Sequence, residues 1–154
     1  FAQGLDQLIA ARADEGSRLK SIVRCALQDV SAQLQQLESL AQSLPAMQRQ
    51  KLQDRVDELT TKIEPERLAQ EAVLLAQKAD IREELDRLRV HVTQSLDLIN
   101  GQGPHGRRLD FLTQELNREA NTLGAKSVCA ETSAASIELK VIIEQIREQI
   151  QNIE

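Results

Sequence analysis

The sequence predicts an all-α fold: an elongated antiparallel helical bundle, or a coiled-coil-like hairpin, built from long amphipathic helices. Three observations carry that expectation. Apolar residues recur at steps of three and four along most of the chain, the spacing of one helix face. Alternation of β-branched and polar residues, the mark of a half-buried strand, is almost absent. Pro45, Pro65 and the cluster Gly101, Gly103, Pro104 and Gly106 punctuate a chain otherwise poor in Gly and Pro. Hydrophobic residues make up 41% of the chain, yet Phe1 and Phe111 are its only aromatic side chains. That mixture suits narrow seams between helices better than a thick globular core.

The first helix is expected over about residues 4–42. Its stripe opens with Leu5, Leu8 and Ile9 and resumes at Leu19, Val23, Ala26, Val30, Leu34, Leu37, Ala41 and Leu44. Gly16 interrupts it and reads as a bend or a close helix contact, since a mid-helix Gly costs about 1 kcal/mol relative to Ala. Pro45 is expected to open a second helix, 46–63, with Ser43 as its cap and Leu52, Val56, Leu59 and Ile63 as its stripe. Pro65 starts a third, 65–99, whose apolar line shifts phase between Ala79 and Ile81 as at a stutter. Residues 100–106 form a loop. A fourth helix covers 107–123, and a fifth, 127–153, rests on Ile137, Leu139, Ile142, Ile143, Ile146, Ile150 and Ile153. These make one helical domain over residues 1–154. Because the chain opens on Phe1 in mid-pattern, it reads as a fragment that has lost an N-terminal portion.

The net charge is −5 with both signs interspersed, which argues against a broad basic surface for nucleic acid. Aromatic platforms for single strands are also missing. Any nucleic-acid role therefore needs a localised site, a partner surface or another domain. Cys25 and Cys129 match no zinc or redox spacing and read as free, buried thiols in a reducing compartment. No apolar run is long enough to cross a bilayer, so the expected location is the cytoplasm, with no membrane partner. No Ser-His-Asp or Cys-His nucleophile is visible.

Two constellations can carry chemistry. On the third helix Asp80, Glu84 and His91 fall within about 40° of one another, with Arg87 alongside. Two carboxylates and an imidazole can hold a hard divalent cation or share proton transfer; a surface pairing network is the competing reading. On the fourth helix Glu115, Glu119 and Thr122 border one side of the Leu stripe, beside Phe111 and Arg118. Asp110, Gln114, Asn117 and Asn121 border the other. Carboxylates at i and i+4 can ligate one metal, and side-chain amides suit buried backbone or nucleotide groups. Hydrogen bonding at an oligomer interface accounts for them equally well. His105, with Arg107 and Arg108, lies in a loop without a phosphate-cradle pattern and reads as a solvated turn. Lys140, Glu144, Arg147, Glu148 and Gln151 read as an exposed, salt-bridged face of the last helix.

The run Arg107-Arg108-Leu-Asp-Phe-Leu-Thr-Gln-Glu-Leu-Asn-Arg-Glu-Ala-Asn-Thr-Leu-Gly-Ala-Lys126 resembles the C-terminal region of the YicC family of bacterial proteins. The ending Ile146-Arg-Glu-Gln-Ile-Gln-Asn-Ile-Glu154 is similar to that family's terminus, and the stretches Glu15–Leu19, Arg67–Glu71 and Lys78–His91 agree as well. The resemblance spans nearly the whole chain. It implies a metal-dependent endoribonuclease that assembles into oligomeric rings, from a family once described as stress-induced, with an N-terminal domain that this chain lacks. The family's polar signature falls on Asp80, Glu84, His91, Asp110, Glu115, Asn117, Arg118, Glu119 and Asn121. Two positions depart from it: Ala125-Lys126 stands where Ser-Lys is expected, and Glu144-Gln145 where Glu-Lys is, the latter removing a positive charge toward RNA.

Together these readings place a divalent cation, Mn²⁺ or Mg²⁺, between the third and fourth helices. Glu84, His91, Glu115 and Glu119 are the expected ligands and catalytic groups, with Asp80 or Asp110 contributing to the metal. Arg87 and Arg118 are the expected phosphate contacts, and Gln114, Asn117 and Asn121 the expected RNA contacts. The expected partners are RNA, further copies of the chain and the absent N-terminal domain. The alternative is a non-catalytic helical scaffold that oligomerises an RNA-binding N-terminal domain. A coiled-coil partner-binding module would explain the heptads, but not the amides of the fourth helix.

Overall fold

The apolar stripes close into a ring of four helices. The computed structural model describes residues 2–58, 64–101, 103 and 105–151. It contains α1 (Ala2–Glu58), α2 (Pro65–Lys78), α3 (Arg82–Asn100), α4 (Gly106–Ala125) and α5 (Ala130–Gln151). No strand occurs among the described residues, so the fold is all-α. Helix α1 packs on α3 and α5, and α4 packs on the same two, while α2 lies against α1 outside the ring. Arg24 meets Asn100 and Glu38 meets Arg89 between α1 and α3. Arg87 meets Glu119 between α3 and α4, and Gly124 lies against Ser136 between α4 and α5. Numbers rise on one helix as they fall on the next, so successive ring members are antiparallel.

The ring is held by what its helices bury. Val23, Leu27, Val30, Leu34 and Leu37 of α1 meet Leu85, Leu88 and Val92 of α3, Leu116 and Leu123 of α4, and Leu139, Ile143 and Ile146 of α5. Each such side chain contributes about 1.5–3 kcal/mol on burial, and together they fix which face of each helix is left for polar work. Helix α1 outruns its neighbours: its 57 residues span about 85 Å at 1.5 Å each. Residues 4–22 carry no buried side chain, and Leu5, Leu8 and Ile9 are exposed there. Among the described residues, no helix is long and apolar enough to cross a membrane.

Several local expectations are corrected. Pro45 does not separate two helices; it lies inside α1. A proline in a helix removes one amide and presses on the carbonyl four residues back, but Leu37 and Leu44 remain buried in one stripe, and that packing overrides the local penalty. Ser43 is no cap: its hydroxyl donates to the Leu40 carbonyl at 2.8 Å. The expected third helix is two helices, broken at residues 79–81. Ala79 and Ile81 are both buried, yet two residues are 200° apart on a helix. A break lets both face the core where a stutter would not. Gly16 makes no close contact, since a Cβ there would meet nothing within 4 Å. Both thiols are free, but Cys25 is exposed and Cys129 only half-buried. The expected stripe residues Leu59, Ile63 and Ile153 lie outside the described residues.

Candidate functional site

Helix α4 divides its polar residues between two neighbours. Leu109, Leu112, Leu116, Ala120 and Leu123 are its buried line. Glu115, Glu119 and Lys126 lie to one side, toward α3; Asn117, Asn121 and Gln114 lie to the other, toward α5. The antiparallel register set by the short 101–105 connection decides what each flank meets. Gly103 makes that connection with φ +115°, a conformation that side chains disfavour, and His105 closes over Gly101.

The α3–α4 seam is a ladder of charges. At one end Glu84 is 4% exposed, and its Oε1 accepts a hydrogen bond from Lys126 Nζ at 2.8 Å. The same ammonium donates to the Asp80 carbonyl at 3.0 Å, tying the end of α4 to the start of α3. Glu84 Oε2 is buried without a hydrogen-bond partner. One turn further, Arg87 Nη1 lies 3.4 Å from Oε1 of Glu119, itself buried, and Arg87 also pairs with Glu83. Its bond to Glu119 and the charge of Glu83 hold the Arg87 guanidinium above its ordinary pKa. Carrying the antiparallel register of Arg87 opposite Glu119 one turn further puts His91 of α3 at the level of Glu115 of α4. The His91 Nδ1 is buried and unpartnered, while Glu115 pairs with Arg118 at 3.2 Å. Asp80, Arg82, Glu83, Asp86, Arg87, Val90 and His91 line an open recess of about 550 Å³ on the outer side of α3, so its two arginines stand among three carboxylates.

The expected ligands therefore do not gather at one point. Glu84 and His91 are seven residues apart, about 10.5 Å along the helix, and each faces a different level of α4. Asp110 lies on the opposite flank, where its Oδ2 accepts from Gln114 at 2.9 Å. Asp80 sits in the turn before α3, where its Oδ1 accepts from the Arg82 amide at 3.0 Å and from its guanidinium at 3.1 Å. Those bonds hold the Asp80 carboxyl below the usual carboxylate range. Among the described residues no three His, Cys, Asp or Glu side chains form a metal-binding group. Of the six expected ligands, five are thus spread along the seam and Asp110 lies away from it, because spacing along each helix carries no information on the register between them.

The amide flank does gather. Gln114, Asn117, Arg118 and Asn121 line one groove of about 390 Å³, and Arg147 of α5 completes it. Asn121 donates to Asn117 Oδ1 at 2.8 Å, which orders the two amides along the groove. Two residues that these flanks meet were not among the site candidates read from the sequence: Lys126, which bonds Glu84, and Arg147, which lines the groove. Lys126 falls on the same flank as Glu115 and Glu119 when the helical phase is carried past Gly124, so a signal was present. Arg147 carried none beyond its spacing to Glu144.

The family model described as "Endoribonuclease YicC-like, C-terminal" matches residues 37–154. The chain belongs to this family. A probable endoribonuclease YicC of Haemophilus influenzae is 43% identical over 154 residues, covering all of this chain and 54% of that protein. A probable endoribonuclease YicC of Clostridioides difficile is 37% identical over 153 residues, covering 97% of this chain and 52% of that protein. The chain spans about half the length of these YicC relatives. The matched segment takes in α2 to α5, and so includes both flanks of the YicC-like α4 helix with the elements that face them.

Proposed function

We propose that this chain is the helical part of an endoribonuclease that cleaves RNA phosphodiester bonds, with α4 as the centre of its site. The observation that supports this most is the division of α4: one flank pairs Glu119 with Arg87 across the seam, and the other lines a groove with amides and two arginines. Cleaving a phosphodiester needs positive charge near the phosphoryl oxygens and a group that moves a proton. Arg82 and Arg87, each paired with a carboxylate of the same recess, would turn to a phosphate to meet the first need. His91, whose Nδ1 is buried without a hydrogen-bond partner, is the candidate for the second. Glu119 steadies Arg87, and Glu115 stands level with His91. Glu84, locked to Lys126, fixes the register that brings these groups together.

A divalent cation, Mn²⁺ or Mg²⁺, belongs to the proposal. Mg²⁺ is commonly held by one or two carboxylates, with water and substrate phosphate completing its shell, so a three-residue protein cluster is not required. Glu115 and Glu119, one turn apart, would hold it, and it would supply charge neutralisation and a more acidic bound water. RNA as substrate, assembly with further copies, the remaining half of a YicC-length protein as partner and a reducing cytoplasmic setting complete the reading. The free thiols of Cys25 and Cys129 accord with that setting.

One observation favours the scaffold reading: α1 carries exposed Leu5, Leu8 and Ile9 beyond the ring, an apolar stripe suited to assembly. The experiment assays RNA cleavage by full-length protein with Mn²⁺ or Mg²⁺ and with chelator. Glu84→Gln and Glu119→Gln are measured beside wild type while oligomer size is followed. Cleavage lost with the assembly intact supports the site on α4. Cleavage retained in both variants overturns it, and loss of assembly together with cleavage favours the scaffold.

A further inference from the structure

Arg147 has an unused hydrogen-bonding edge. Its Nε is buried without a partner, and its ion pair, Nη1 to Glu144 at 3.5 Å, is long and lies on the exposed side of α5. A guanidinium presents five donors in a rigid fork, and an Nε left buried and unsatisfied is costly in an apolar contact. The groove that Arg147 completes contains no carboxylate: its other lining residues are Gln114, Asn117, Arg118 and Asn121. In a chain of net charge −5, this is a local pocket of two positive charges and three amides. Arg118 reaches out to Glu115 at 3.2 Å on the seam side, so it stands between the groove and the catalytic ladder.

We propose that Arg147 binds a phosphate of the RNA strand, and that the α4–α5 groove is a subsite for the nucleotide next to the one being cleaved. The proposal rests on the endoribonuclease reading and adds to it a residue from a different helix. The chemistry of the lining divides the nucleotide. The Arg147 fork suits two phosphate oxygens at once. The amides of Gln114, Asn117 and Asn121 offer both donors and acceptors, which matches base edges and the ribose 2′-hydroxyl. Single-stranded RNA fits this lining better than a duplex, because its base edges are free to enter a groove. Arg118 links the groove to the other flank of α4 through Glu115, so a nucleotide held there lies on the neighbouring face of the helix that carries Glu115 and Glu119.

The test measures binding apart from cleavage. Full-length wild type, Arg147→Gln and Arg147→Lys are titrated with a short labelled single-stranded RNA, and initial anisotropy is recorded between about 50 and 200 mM salt. Arg147→Gln should bind about tenfold more weakly, as expected for one lost charged contact of roughly 1.4 kcal/mol. The slope of log K against log salt should shrink by about 0.7, the value for one phosphate on a single strand. A residue that only supports the fold would not change that slope. Arg147→Lys keeps the charge and the stem but not the fork, so it should recover the slope and only part of the affinity. Circular dichroism melts establish that each variant is folded. If wild type neither binds nor cleaves RNA, the endoribonuclease reading itself falls. If wild type cleaves RNA while both variants bind as wild type does with an unchanged slope, the assignment of Arg147 is overturned.

Discussion

Lys126→Met tests the tie that sets the α3–α4 register. Lys126 Nζ lies 2.8 Å from Glu84 Oε1, and Glu84 is 4% exposed with its second oxygen already unpartnered. Removing the cation leaves a buried carboxylate without compensation, which costs about 3–5 kcal/mol when both partners are fully enclosed. The Lys126 side chain is 31% exposed, so water replaces part of what is lost and the expected cost falls to roughly 2–3 kcal/mol. For a chain of this size that lowers Tm by about 5–10 °C. Glu84→Leu combined with Lys126→Met removes both charges and should return to within about 1 kcal/mol of wild type. Melts followed by circular dichroism decide it, with Asp14→Asn as a control that breaks an exposed pair and should move Tm by less than about 2 °C. A Lys126→Met melt indistinguishable from that control, or a double variant worse than the single, would refute the reasoning.

Pro45→Ala should raise Tm, because alanine restores an amide inside α1 and is up to about 3 kcal/mol more favourable in a helix interior; an unchanged or lower Tm would mean that Pro45 contributes packing not visible in its exposure. Asp80 has its carboxyl held below the usual range by the Arg82 amide and guanidinium. That stability is complete above the ordinary carboxylate value near 3.8 and is lost as pH falls through the lowered folded value. Asp80→Asn should therefore flatten the acid limb of a stability–pH curve below about pH 4 while leaving its shape at neutral pH.

Much of the fold was legible because packing and periodicity agree. The stripes of α3, α4 and α5 each have one buried face, so a 3.6-residue pattern was enough to find them. Pro45 misled because a strong local signal met a stronger tertiary one. At Ala79 and Ile81 the phase change was visible, but a stutter and a break look alike until the core claims both residues. The division of α4 into an acidic and an amide flank was also legible, since it follows from phase within a single helix. What faces each flank was not. Glu84 opposite Lys126 and Arg87 opposite Glu119 depend on how the 101–105 connection sets register, and Arg147 arrives from a helix whose polar pattern resembles any solvated surface. The expected ligand cluster failed to gather for the same reason.

The two flanks of α4 are expected to do different work. Single-turnover cleavage measured against RNA concentration separates them: Glu119→Gln should lower the plateau rate by about a hundredfold, the scale of one lost catalytic interaction, whereas Asn117→Ala with Asn121→Ala should chiefly raise the RNA concentration needed to reach half of its own plateau. A Glu119→Gln plateau equal to wild type, or a shift in half-saturation confined to Glu119→Gln, would contradict it.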